Sequence, residues 1–140
     1  WGMVVLVPGQ LPTAPNRSRY FEAIAALEQA GRAEEAAWAW QTALWEWPGD
    51  TVALFGLANA HLAKAEYAVA ETAYRDLLER VPDLPAARNN LALALAAQEK
   101  FDTALEQIRV ALSNNPDPAM EKELRDTEAT IRGRMAGAGD

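Results

Sequence analysis

Pro48, Pro82 and Pro116 stand 34 residues apart and then 34 again, and the residues between them repeat in register. A fixed period of this length marks a stack of helical hairpins, because two short helices and their turns fill such a unit but cannot bury an apolar face alone.

With each proline taken as position 32, the units run over 17–50, 51–84 and 85–118. Position 20 is Ala36, Ala70 and Ala104; position 24 is Trp40, Tyr74 and Ile108; position 27 is Ala43, Leu77 and Ala111. Position 7 reads Ala23, Leu57 and Leu91, position 8 reads Ile24, Ala58 and Ala92, and position 11 reads Leu27, His61 and Leu95. Large and small apolar residues alternate at helical spacing, as they must where a large side chain of one helix fills the hollow over an alanine of the next. The prolines close each unit because proline lacks the amide that a continuing helix needs.

These columns resemble the tetratricopeptide repeat, whose pattern has a large residue at position 4, small ones at 8 and 20, aromatics at 11 and 24, and proline at 32. The resemblance covers 17–118, and the middle unit, with Leu54, Leu57, Ala58, Ala70, Tyr74 and Pro82, matches best. Ile24 at position 8 of the first unit and Arg88 at position 4 of the third depart from it. The resemblance implies an all-α, right-handed α-solenoid of three helical hairpins plus a C-terminal capping helix, with a short extended N-terminal segment.

The expected layout is an apolar segment and Pro-rich linker over 1–16, repeats over 17–50, 51–84 and 85–118, a capping helix over 119–134 and a flexible tail over 135–140. Helices are expected at 17–30, 33–47, 51–64, 67–81, 85–98, 101–114 and 118–134. Asp117 followed by Pro118 fits an N-cap and first-turn pair, since the carboxylate accepts a free amide and proline has none to leave unpaired. In the last helix Met120, Leu124 and Ile131 share a spacing among many charges, the composition of an element that covers its neighbour on one side and meets water on the other.

Charge and residue usage exclude several functions. Twenty acidic against thirteen basic residues, a net charge of −7, leave no basic stripe for nucleic acid. There is no cysteine and a single histidine, which excludes disulfides, thiolate metal sites and His-rich ones. No nucleophile, base and orienting acid can be assembled, so no enzyme, cofactor or metal site is expected. Neighbouring acids such as Glu34 and Glu35 point to different sides of a helix rather than pairing. His61 reads either as a ring packed within its hairpin or as a polar group in the groove. No apolar run is long enough to span a bilayer.

Such a stack offers a concave surface made by the first helix of each unit. Phe21, Val52, Phe55, Asn59, Leu62, Asn89, Asn90 and Leu93 are expected to line it as a peptide-binding groove, together with Ala25, Ala86 and Ala96. In the family, asparagines at positions 6 and 9 often bond a bound peptide's backbone, and Asn90 and Asn59 match those places; the plainer reading is that they bond neighbouring turns. The family's clamp for the C-terminal carboxylate of chaperone tails needs cations, and in either register the corresponding places hold none: Phe21, Ala86 and Asn90, or Phe55, Met120 and Leu124. A largely apolar or backbone-recognised ligand is expected, with Phe21 and Phe55 as anchors.

Trp38 and Trp45 are seven residues apart, hence on one helical face, and are expected to point away from the hairpin core. Either the apolar segment 3–11 covers them or they form a docking face for a neighbouring domain or a second copy. The run 1–12, leading into Arg19, Tyr20 and 27–31, resembles the junction in bacterial proteins where a papain-like, bacteriocin-processing-type cysteine peptidase domain precedes a repeat domain. That resemblance implies a last peptidase strand at about 1–7, catalytic residues upstream of this chain, and a location outside the cytoplasm. The expected partners are therefore a protein or peptide, the chain's own upstream domain, or a homodimer twin.

Overall fold

The computed structural model describes residues 16–139. They form seven helices and no strand: α1 (Arg17–Gln29), α2 (Ala33–Glu46), α3 (Thr51–Ala63), α4 (Tyr67–Arg80), α5 (Pro85–Ala97), α6 (Phe101–Ser113) and α7 (Pro118–Ala138). The expected strand over 1–7 and linker over 8–15 lie outside the described residues.

α1, α3 and α5 begin at residues 17, 51 and 85, and α2, α4 and α6 at 33, 67 and 101, so both series keep the 34-residue step. The turn inside each hairpin repeats too. Gly31, Ala65 and Glu99 all have positive φ, and the next amide in each case returns to a carbonyl five residues back: Arg32 to Leu27, Glu66 to His61 and Lys100 to Leu95, each at 2.9 Å. A left-handed residue closed by such a bond ends a helix by satisfying its last carbonyls. Glycine adopts that conformation freely, whereas the alanine and glutamate are held in it against their Cβ.

Between hairpins the chain stops differently at each step. Trp47 and Val81, the C-cap residues of α2 and α4, leave the helical region at φ −123° and −130°, in line with the bias against helix that a following proline imposes. Asp50 then caps α3, its carboxylate accepting the amides of Val52 and Ala53 at 3.0 and 3.1 Å. α5 has no side-chain cap and starts on Pro85, while Asp117 caps α7 by accepting Met120 N–H at 2.8 Å.

The core falls into two clusters. One, built from α1, α2 and α3, is aromatic and alanine-rich, with Tyr20, Ile24, Trp40 and Leu57 buried and Phe21, Trp38 and Trp47 against them. The other spans α3 to α7 and is aliphatic around a single phenol: Tyr74, Leu77, Leu91, Leu95, Ile108, Leu124 and Ile131. Gly56 is the hinge of the first. A Cβ there would fall 2.2 Å from the Trp40 indole, so only glycine lets the ring lie against the α3 backbone.

α7 ends the stack. Leu124, Thr127 and Ile131 are buried against the preceding hairpin. One period after Ala92 and Leu95 of α5, α7 carries Asp126 and Ala129, and Arg125 and Asp126 are exposed. Charged groups there favour water over an eighth helix. The expected flexible tail is corrected over its first part: Met135–Ala138 continue α7, because nothing between Ile131 and Ala138 is a proline or a cap that would stop it.

Candidate inner-face site

Which helices face inward follows from their approaches. The α3 backbone approaches α5 and α5 approaches α7, whereas α2, α4 and α6 do not approach one another. First helices that touch while second helices splay place α3, α5 and α7 on the inner side of a curved stack. The α1 backbone approaches α2 alone, so the first step of the inner layer stands open.

The closed step is held by asparagines. Asn59 Oδ1 accepts two hydrogen bonds, from the Tyr74 hydroxyl and, at 2.9 Å, from Asn90 Nδ2. Thus α3, α4 and α5 are tied at one point, and burial pushes the Tyr74 phenol well above its ordinary value. Asn59 and Asn90 therefore spend part of their bonding capacity inside the protein. Asn59 keeps its Nδ2 amine as an uncommitted donor among the described residues.

Other groove residues differ from expectation. Asn89 is 3% exposed and faces Asn90 Oδ1 and Glu123 Oε1 of α7, both at 3.5 Å, so α7 removes it from the open surface. Phe21 is no free anchor: its ring packs edge-on against Trp40 (5.0 Å) and Trp47 (5.8 Å), with the Arg17 guanidinium 4.4 Å above it. An aromatic ring so surrounded has spent its area within the fold. Phe55 packs near Tyr74, and Leu62 rests on the same core, each half-buried. Leu93 is likewise half-buried, and Val52 is 50% exposed.

The open step contains a cleft of about 250 Å³ lined by Glu28, Gly31, Ala33, Ala36, Asn59, Ala60 and Ala63. Burial pushes the Glu28 carboxyl above its usual range, an effect only partly offset by the Trp40 indole. The Trp40 Nε1–H is itself buried without a well-formed hydrogen bond among the described residues. Glu28 has no cationic partner there either. Asp50 and Glu71 differ on this point. Burial pushes both upward, but Arg17 bonds Asp50 through two nitrogens, and Lys100, Arg75 and Gln98 bond Glu71, leaving both acids below the usual range. Sequence reasoning passed over Glu28, although its column was informative: the equivalent residues are Leu62 and Ala96.

The tryptophan pair separates. Trp45 is 69% exposed on the last turn of α2, but Trp38 is half-buried against the N-terminal core. Sharing a helical face did not give the two rings equal depth, because Trp38 lies mid-helix beside the packed aromatics and Trp45 near the free end. His61 Nδ1 lies 2.9 Å from Glu66 Oε1 in the hairpin turn.

Among the described residues no helix is long and apolar enough to cross a membrane. Residues 55–118 match the family model described as tetratricopeptide repeat. No curated protein matches the chain. The described residues form an all-helical stack that over 55–118 is similar to tetratricopeptide repeats, and repeats of this kind generally mediate protein–protein interaction and are generally non-catalytic.

Proposed function

We propose that this chain is a non-enzymatic interaction module that holds an extended peptide or a helix of a partner protein along the inner face of its first helices. The supporting observation is the inner layer itself: α3 and α5 close upon each other while Val52, Phe55, Leu62 and Leu93 stay incompletely buried. Apolar groups kept partly in water on a concave surface are a site for a ligand's apolar side chains. Asn59 adds a hydrogen-bond donor for a backbone carbonyl.

Val52 and Val69 provide a matched test, because both are 50% exposed but one lies on α3 and the other on α4. Val52→Asp is expected to weaken capture of displayed extended peptides about tenfold, and Val69→Asp to leave it unchanged. Equal effects at the two positions, or none at either, would sink the inner-face reading.

A second reading draws on Trp45, too large and too exposed to be indifferent to water. In this reading the end of α2 docks the module onto a second copy or onto another domain of its own protein, for which the resemblance at 1–31 nominates a cysteine peptidase. Trp45→Ala would then abolish a dimer seen by sedimentation, or the association with that domain, without touching peptide capture.

A further inference from the structure

We propose that the cleft at the open α1–α3 step receives a basic side chain, lysine or arginine, of the peptide lying on the inner face, with Glu28 as its counter-ion. This rests on the inner-face reading above. Three observations lead to it.

First, there is a half-open recess for a side chain. The cleft of about 250 Å³ has walls of Ala33, Ala36, Ala60 and Ala63, small residues that suit a methylene stem and leave room for roughly eight water-sized groups at about 30 Å³ each. Second, among the described residues the cleft's only ionisable lining residue is a carboxylate without a cation. Asp50 and Glu71, two partly buried acids, are each matched by arginine or lysine within the fold, whereas the more exposed Glu28 meets only an indole among the described residues. Third, the Trp40 Nε1–H, in a residue 95% buried, lacks a well-formed partner among the described residues and acts on that same carboxyl. A carboxylate drawn into place by an arriving cation can accept from both groups at once.

The charges set the sign of the partner. The chain carries −7 overall, which repels an acidic peptide and attracts a basic one over about a Debye length. Lys64, the lysine next in sequence to the cleft's Ala63, is already held by Glu34 and Glu66 at 3.0 Å each, and so does not fill the role from within. Asn59 fixes the neighbouring backbone. Its oxygen is committed to Tyr74 and Asn90, so its amine can donate to the peptide carbonyl beside the inserted residue.

The test uses three pools of blocked decapeptides with lysine, norleucine or glutamate at one central position and random Ala, Leu, Val and Ser elsewhere. Each pool is bound to the full chain and to its Glu28→Gln and Val52→Asp variants. Preference for the lysine pool by about tenfold, reduced to parity with norleucine in Glu28→Gln and accompanied by a shift of the Trp40 indole N–H resonance, supports the assignment. Lysine and norleucine pools that bind equally, with Val52→Asp weakening both and Glu28→Gln neither, overturn the basic pocket while the inner-face reading stands. Binding of no pool overturns both. Because Glu28 is largely at the surface, Glu28→Gln is expected to fold as the parent does.

Discussion

The α1–α3 and α3–α5 steps are built from the same 34-residue unit, yet one stands open and the other is closed. At the closed step two asparagines of the inner helices meet directly, with the Tyr74 hydroxyl completing the junction. At the open step the material between the helices is aromatic: Trp40 lies on Gly56, Phe21 packs edge-on against Trp40 and Trp47, and Tyr20 lies tilted against Trp47. Bulky rings hold backbones apart and leave a cleft at the edge, whereas small and amide side chains let them touch. One repeat architecture thus yields a closed step beside an open one, according to what stands at a few equivalent positions.

The heaviest test of that difference is Trp40→Ala. It should cost about 3–5 kcal/mol, read by urea denaturation, and hydrogen exchange should show the protection lost in α1 to α3 and kept in α5 to α7. Uniform loss through all seven helices would mean that the two cores are one unit. Next comes the asparagine junction. Asn59→Ala strands the Tyr74 hydroxyl and an Asn90 donor and should cost about 1–3 kcal/mol. Adding Tyr74→Phe should give back part of that, because the stranded hydroxyl is gone; simple additivity of the two changes would show that the bond does not hold the step.

Asp50 tests the other tether of the open step, its bond to Arg17. Although burial pushes this carboxyl up, Arg17 and the α3 amides outweigh it, so the folded value lies below the unfolded one of about 3.9. A depressed carboxylate contributes stability that is complete above that unfolded value and is lost as the pH falls through the folded one. Thermal denaturation of the parent should therefore fall off more steeply below pH about 4 than that of Asp50→Asn, which keeps a cap but not the charge. Parallel curves would remove Asp50 from the acid response. The smallest expected effect is a gain. Ala65→Gly, in a turn with φ of 60°, should add about 0.5–1 kcal/mol, read as a higher Tm. Gly31→Ala at the equivalent turn should do the reverse, and a matching gain there would refute the strain argument.

Much of the fold was legible in the chain because its signals are local. Proline spacing, alanine columns and Asp-Pro at 117–118 act over a few residues, and the helices start where those signals stand. The expected groove residues were legible as columns of equivalent positions but not as free groups. Asn89 is covered by α7, Phe21 is enclosed by three side chains, and Asn59 binds two neighbours. Each of these outcomes depends on residues 15 to 35 positions away along the chain or beyond a turn, which no local pattern carries. Trp38 and Trp45 make the same point, since periodicity assigns a direction round the helix and says nothing of what stands opposite.

The sequence by itself determined that helices form, where they stop and that they stack with a 34-residue step, since propensity, caps and period are properties of short segments. Only the tertiary structure decided which step opens, because that depends on the volume of Trp40 against the missing Cβ of Gly56, 16 residues away in sequence and in contact in space. It likewise decided that Glu28 stands without a cation among the described residues: a charge is balanced by what the fold brings within a few ångströms, and beside Glu28 the fold brings an indole.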